Sequence, residues 1–234
     1  LHITLRAAVA ASILLFGANA GSAATATFDL SLNPGQSTNP ASLPFSFVLS
    51  NADLSVTVSG KTLSGGTASG TTITGGTVGD AKIGRYSGGA GIVTSSSDDH
   101  QVDGSGSGAD EFVQFAFSAP IILTSARFSF VESDDDFRWL WDANGNGSLG
   151  IGDFISSETD IPGSSIFANF GGVESALFGI GAFGGNDEWK LKSVTFDYTV
   201  APPPPSPVPL PAAAPLLAAA LAGLGVLSRR RRRT

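Results

Sequence analysis

EFVQFAFSAPIILTSARFSFVES, Glu111 to Ser133, decides how the body of this chain is read. In its first eight residues Phe112, Gln114, Ala116 and Ser118 alternate with Val113, Phe115 and Phe117. Side chains alternate across a strand, so this period of two predicts a strand with one apolar face. Ala119-Pro120 reads as a turn, because proline has no amide to give to a ladder, and IILTSARFSFVES as a second strand. The same alternation recurs in ATFDLSL, SFVLS and DLSVTVS, and again from Trp189 to Val200, with Gly, Ser, Asn or Pro between the runs. No long segment of the body carries a helical period. Many short strands joined by turns predict an all-β, antiparallel β-sandwich, with a jelly-roll-like topology favoured.

Composition narrows the chemistry. The 234 residues contain 30 Gly and no Cys, so disulfides, thiolate metal sites and cysteine nucleophiles are excluded. Of 13 basic residues, Arg6 and Arg229 to Arg233 lie at the ends; seven remain in the body against all 20 acidic ones. A body that acidic argues against nucleic acid and suits divalent cations or neutral glycans.

Both ends read as addresses. Residues 1–24 combine Arg6, an apolar run from Ala7 to Phe16 and small residues after it, the anatomy of a secretory signal peptide cleaved between Ala20 and Ala26. Residues 25–200 are then the extracellular domain, and 201–209, APPPPSPVP, a proline-rich extended linker. Leu210 to Leu227 carries no charge. As a helix it spans about 27 Å, near the roughly 30 Å of a bilayer core. The expected transmembrane helix is 210–228, and the arginine-rich tail 229–234 stays cytoplasmic by the positive-inside rule.

The order Val208, Pro209, Leu210, Pro211, Ala212, then an Ala/Leu-rich span and terminal arginines, resembles the VPLPA-CTERM sorting signal, a variant of the PEP-CTERM family of Gram-negative bacteria. The resemblance implies an exosortase-type membrane protease as partner, transient anchoring in the inner membrane, and onward passage to the cell surface or medium. It also implies an association with exopolysaccharide and biofilm.

Within the body, Asp142-Ala-Asn144-Gly-Asn146-Gly147-Ser148-Leu149-Gly-Ile-Gly-Asp153 places oxygen side chains at positions 1, 3 and 5, Gly at 6 and Asp at 12. Calcium takes six to eight hard oxygen ligands, and Gly at the sixth place allows the sharp turn around it. Asp142, Asn144, Asn146, Ser148 (through its carbonyl) and Asp153 are the candidate ligands. The spacing resembles the calcium loops of dockerin-like and EF-hand modules; an Asn/Gly-rich hairpin turn is the competing reading. A second candidate metal cluster is Asp98, Asp99, Asp103, Asp110, Asp134 and Asp136. If the strands on either side of Pro120 pair as a hairpin, the two acidic loops holding these residues lie at one sheet end, where carboxylates repel without a cation; a solvated acidic loop is the competing reading.

Enzyme function is not expected. His100 is the only histidine after signal removal, and no nucleophile-elbow motif is present. Two expectations remain. The first is a structural or adhesive matrix component with calcium as its possible cofactor. The alternative is a carbohydrate-binding module in which Trp139 and Trp141, two apart and therefore on one strand face, stack on an extracellular polysaccharide; burial of these rings in the core is the competing reading.

Overall fold

The computed structural model describes residues 22–38, 46–51, 54–69, 71–95, 98–105, 108–183, 185–200, 219–222 and 229. The expected signal peptide (apart from residues 22–24), the linker, the Val208–Ala212 motif and most of the transmembrane span lie outside them. No described helix is long and apolar enough to cross a membrane.

The alternating runs form fifteen strands among the described residues. The first seven are β1 (Ser22–Asp29), β2 (Ser46–Ser50), β3 (Ser55–Ser64), β4 (Thr67–Ser69), β5 (Thr72–Thr74), β6 (Thr77–Tyr86) and β7 (Gly89–Val93). Then come β8 (Val102–Asp103), β9 (Ala109–Ser129), β10 (Asp136–Trp141) and β11 (Phe154–Ile155). Last are β12 (Thr159–Asp160), β13 (Ile166–Phe167), β14 (Glu174–Ala182) and β15 (Glu188–Val200). The all-β expectation holds. The main sheet runs β1-β15-β7-β6-β3-β9-β14-β10-β11, and a further β15–β9 ladder closes β15, β7, β6, β3 and β9 into a barrel.

The turn expected at Ala119-Pro120 is not there. β9 is one strand of 21 residues. Its first part pairs with β3 and β14; past Pro120, β15 replaces β3, β14 continues only at Ile121 and Ile122, and β13 joins near the end, while Ser118, Ala119 and Pro120 have no register partner in these ladders. Proline is tolerated because it falls where the strand changes partners and no ladder asks for its missing amide. A bulge follows: Ser125 pairs with Thr195 but Leu123 with Phe196, and Thr124 Oγ1 donates to the Thr195 carbonyl at 2.9 Å. An extra residue flips the buried face. Val113, Phe115, Phe117, Ile121 and Leu123 are buried before the bulge, Ala126 and Phe128 after it.

Both faces of β9 are covered. Val113, Phe115 and Phe117 join the main core with Val58, Ile83, Ile92, Trp189 and Phe196. Phe112, on the other face, packs with Leu63, Ile73, Leu140, Leu149 and Ile155 in a second, smaller core. Closure of the barrel brings both ends of β9 to the same place: β8 pairs with the start of β15 through Asp103 and Glu188, Glu111 bonds the Asp103 amide, and Ser129 pairs with Lys190.

Candidate metal centre

Glu111 owes its position to strand parity. It lies on the same face of β9 as Val113 and Phe115, so the alternation that fills the core also points a carboxylate inward; it is 3% exposed. Its Oε2 accepts the Asp103 amide at 3.1 Å. Asp98 closes the preceding loop, with Oδ2 accepting the Thr94 amide at 2.8 Å and Oδ1 the His100 amide at 2.8 Å. His100 sits at φ 70, in the left-handed region, and its ring stacks on Tyr86 with centroids 5.1 Å apart. The loop passes so close to β7 that a Cβ on Gly91 would lie 1.7 Å from the His100 carbonyl oxygen.

These constraints bring three carboxylates together. One oxygen from each of Asp98, Asp103 and Glu111 lies within 4.8 Å of the others. Asp103 Oδ1 is buried without a hydrogen-bond partner. Burial, reinforced by the charges of Asp103 and Asp98, pushes the Glu111 carboxyl up to about 8. Burial and the charges of Asp99, Asp98 and Glu188 push Asp103 up to about 7. Lys190, 7% exposed, is the buried cation beside them. Its Nζ donates to the Asp99 carbonyl at 3.3 Å and lies 5.4 Å and 4.9 Å from the Tyr86 and Phe130 ring centroids. Burial lowers its pKa, against the pull of Asp99, Asp103 and Asp98. Three converging carboxylates with an unpaired oxygen form a hard, anionic donor set of the kind calcium takes.

The six residues expected as a second cluster separate. Asp98 and Asp103 join the triad. Asp99 is exposed and accepts from its neighbour Gln101 Nε2 at 3.0 Å. Asp110, beside Glu111 but of opposite parity, accepts the Ser105 amide at 3.0 Å. Asp136 faces Asp160 across the β10–β12 ladder; burial, and then the hydrogen bond and charge of Asp160, push it up to about 6. Asp134 lines a cleft with Asp103. The acidic loops therefore do meet, through barrel closure rather than through the expected hairpin. Glu111 could have been found in the sequence by the parity that sets it beside Val113.

The Asp142–Asp153 loop joins β10 to β11, which pair through Trp141 and Phe154. Its oxygens turn to its own amides. Asp142 Oδ1 accepts from Gly145 at 2.7 Å and Oδ2 from Gly147 at 2.8 Å, Asn144 Oδ1 from Asn146 at 3.0 Å, and Asn146 Oδ1 from Ser148 at 2.8 Å. Asp153, fully buried, accepts from Ala143 at 3.1 Å and Gly150 at 2.8 Å. Gly147, the sixth position, has φ 79, as the sharp turn requires. Leu149 anchors the loop in the smaller core.

Trp139 and Trp141 share one face of β10, and both touch the main core. Trp139 packs against Phe167 and Phe170, with centroids at 5.6 Å and 5.4 Å, and Trp141 stacks on Phe154 at 3.4 Å. Trp189 is fully buried and donates to the Asp136 carbonyl at 3.0 Å. Compared with family models, curated proteins and solved structures, the chain finds no match in any of the three.

Proposed function

We propose that this chain is an exported module whose all-β body works outside the cell as a structural or adhesive matrix component stabilised by calcium. The observation that carries the calcium assignment is the convergence of Asp98, Asp103 and Glu111 oxygens within 4.8 Å. Side by side, such carboxylates repel unless a cation joins them. With no disulfide to fasten the loops, an ion bonded to Asp98, Asp103 and β9 is the crosslink this body can use. Residues 210–228 cross the membrane before processing, residues 229–234 stay in the cytoplasm, and an exosortase-type protease cuts near Val208 to Ala212.

Thermal unfolding of the full chain with calcium and then with excess chelator tests the ion. A ligand that binds only the folded state raises the midpoint by mass action. Calcium should raise it in the parent and not in Glu111→Gln; equal midpoints in the parent with and without calcium would remove the ion from this reading. Replacing Pro209 and Pro211 by Ala, followed by fractionation of expressing cells, tests the address. Unprocessed chain should accumulate in the membrane fraction, and unchanged release would exclude the sorting role.

A further inference from the structure

The exposed run Asn144-Gly145-Asn146-Gly147, between β10 and β11, carries a chemistry that the packing of its loop does not use. It holds the chain's two Asn-Gly pairs. In such a pair the glycine amide nitrogen can attack the asparagine side-chain carbon, because glycine has no Cβ to crowd the approach. The reaction asks three things of its surroundings. It needs a base for the amide proton, donors for the oxygen on which charge develops, and water to complete it.

All three are in place. Asp142 Oδ1 accepts the Gly145 amide at 2.7 Å and Oδ2 the Gly147 amide at 2.8 Å, so one carboxylate holds the N–H of both attacking nitrogens. Asn144 Oδ1 accepts the Asn146 amide at 3.0 Å. Asn146 Oδ1 accepts the Ser148 amide at 2.8 Å and the Ser148 hydroxyl at 2.7 Å. These donors polarise the two side-chain carbonyls and already face the atoms that take up negative charge when the nitrogen attacks. Residues 143–148 are exposed, which admits water. Gly145 and Gly147, at φ 71 and φ 79, keep the left-handed backbone that aims their amides at Asp142.

We propose that Asn144 and Asn146 are sites of self-catalysed deamidation, with the Asp142 carboxylate as the general base for both. The Gly145 nitrogen bonds to Asn144 Cγ as its proton passes to Asp142 Oδ1. The Cγ–Nδ2 bond then breaks, and the amino group leaves as ammonia, taking that proton from Asp142. A cyclic imide remains, and water opens it. Cleavage of the bond from the ring nitrogen to Cγ gives aspartate; cleavage of its bond to the backbone carbonyl carbon gives isoaspartate. Each site consumes one water and releases one ammonia, with no oxidant, reductant or second protein. Asn146 and Gly147 repeat the sequence on Asp142 Oδ2. Every event sets a new carboxylate beside Asp142, so the age of the molecule is written into the charge of this loop. The inference stands without the ion of the Asp98–Asp103–Glu111 triad.

Peptide mapping by mass spectrometry, on the full chain held in heavy-oxygen water with chelator at neutral pH, tests it. Each imide that opens takes one heavy oxygen into the 144–147 segment. Asn144 and Asn146 should take it up well ahead of Asn169, which is exposed but precedes Phe170. Asp142→Asn keeps an oxygen for one of the two amides but is no base, and it should slow both positions by roughly tenfold or more. The parent alone supplies a second readout that does not depend on the variant folding. Its rate should stay level across neutral pH, as a carboxylate base requires. Uptake at Asn144 and Asn146 no faster than at Asn169 would overturn the proposal. So would a parent rate that climbs in proportion to hydroxide. So would Asp142→Asn reacting as fast as the parent or faster, since the carboxylate would then be shielding the amides.

Discussion

Glu111→Gln separates electrostatics from architecture because it changes a charge and almost nothing else. The amide keeps an oxygen to accept from the Asp103 amide, and the side chain keeps its volume on the core face of β9. Burial first, and then the charges of Asp103 and Asp98, lift the Glu111 carboxyl from the ordinary 4.5 to about 8. The folded state therefore binds a proton that the unfolded chain releases between these pH values, and stability falls as pH rises through that window. Each pH unit of such a gap corresponds to about 1.4 kcal/mol, so the full penalty above pH 8 is on the order of 5 kcal/mol. Asp103, pushed up to about 7, acts in the same direction between about 4 and 7. In chelator at pH 8.5, Glu111→Gln should be more stable than the parent by about 2 kcal/mol or more; at pH 4.5 the two should be close. In calcium the order should reverse, since the parent gains a ligand that the variant cannot hold. Urea unfolding at both pH values, with calcium or with chelator, measures all of this. A variant no more stable than the parent at pH 8.5 in chelator, or a parent whose stability rises with pH, would refute the reasoning.

Three further outcomes follow from the geometry. Asp153→Ala leaves the amides of Ala143 and Gly150 without their buried acceptor and should destabilise by about 2–4 kcal/mol in chelator; if calcium enlarges that loss in urea unfolding, the Asp142 loop also binds the ion, and if it does not, the loop is held by its own amides. Gly91→Ala sets a Cβ against the His100 carbonyl and should lower the unfolding midpoint while abolishing the calcium response, because the loop carrying Asp98 is pushed away from β7. An unchanged calcium response in Gly91→Ala would show that the loop position does not matter to the site. Trp141→Ala removes the ring stacked on Phe154 and should cost about 2 kcal/mol without changing retention on a polysaccharide affinity gel; lost retention with intact folding would favour the carbohydrate-binding reading.

The strands were legible because alternation is a local property. β2, β3 and β15 stand where the polar-apolar runs place them, β1 overlaps its run only from Ala26 to Asp29, and the odd positions of Glu111–Ser118 face the main core while Phe112 on the other face enters the smaller one. What alternation cannot carry is partnership. Pro120 breaks a ladder only where a ladder needs its amide, and that need is set by β3, β14 and β15, all distant in sequence. The site follows the same division. The sequence marks Asp98 and Asp103 as acidic neighbours in one loop, but Asp187 and Glu188 lie far along the chain and reach the cleft only because β8 pairs with the start of β15. The Asp142 loop has its turn chemistry written in the Asn/Gly spacing, whereas the direction in which its oxygens point depends on Asp153 being carried inward with β11.

The antiparallel pairing of β1 with β15, Ser22 opposite Val200 and Asp29 opposite Ser193, sets the two ends of the body side by side. Tension applied between those ends meets the ladder one residue pair at a time, and it unzips. Tension entering at Val200 alone travels along β15 into its long ladder with β9, where many bonds share the load at once. A body held through β15 would thus resist pulling, while one gripped at both ends would open from its N-terminal strand first.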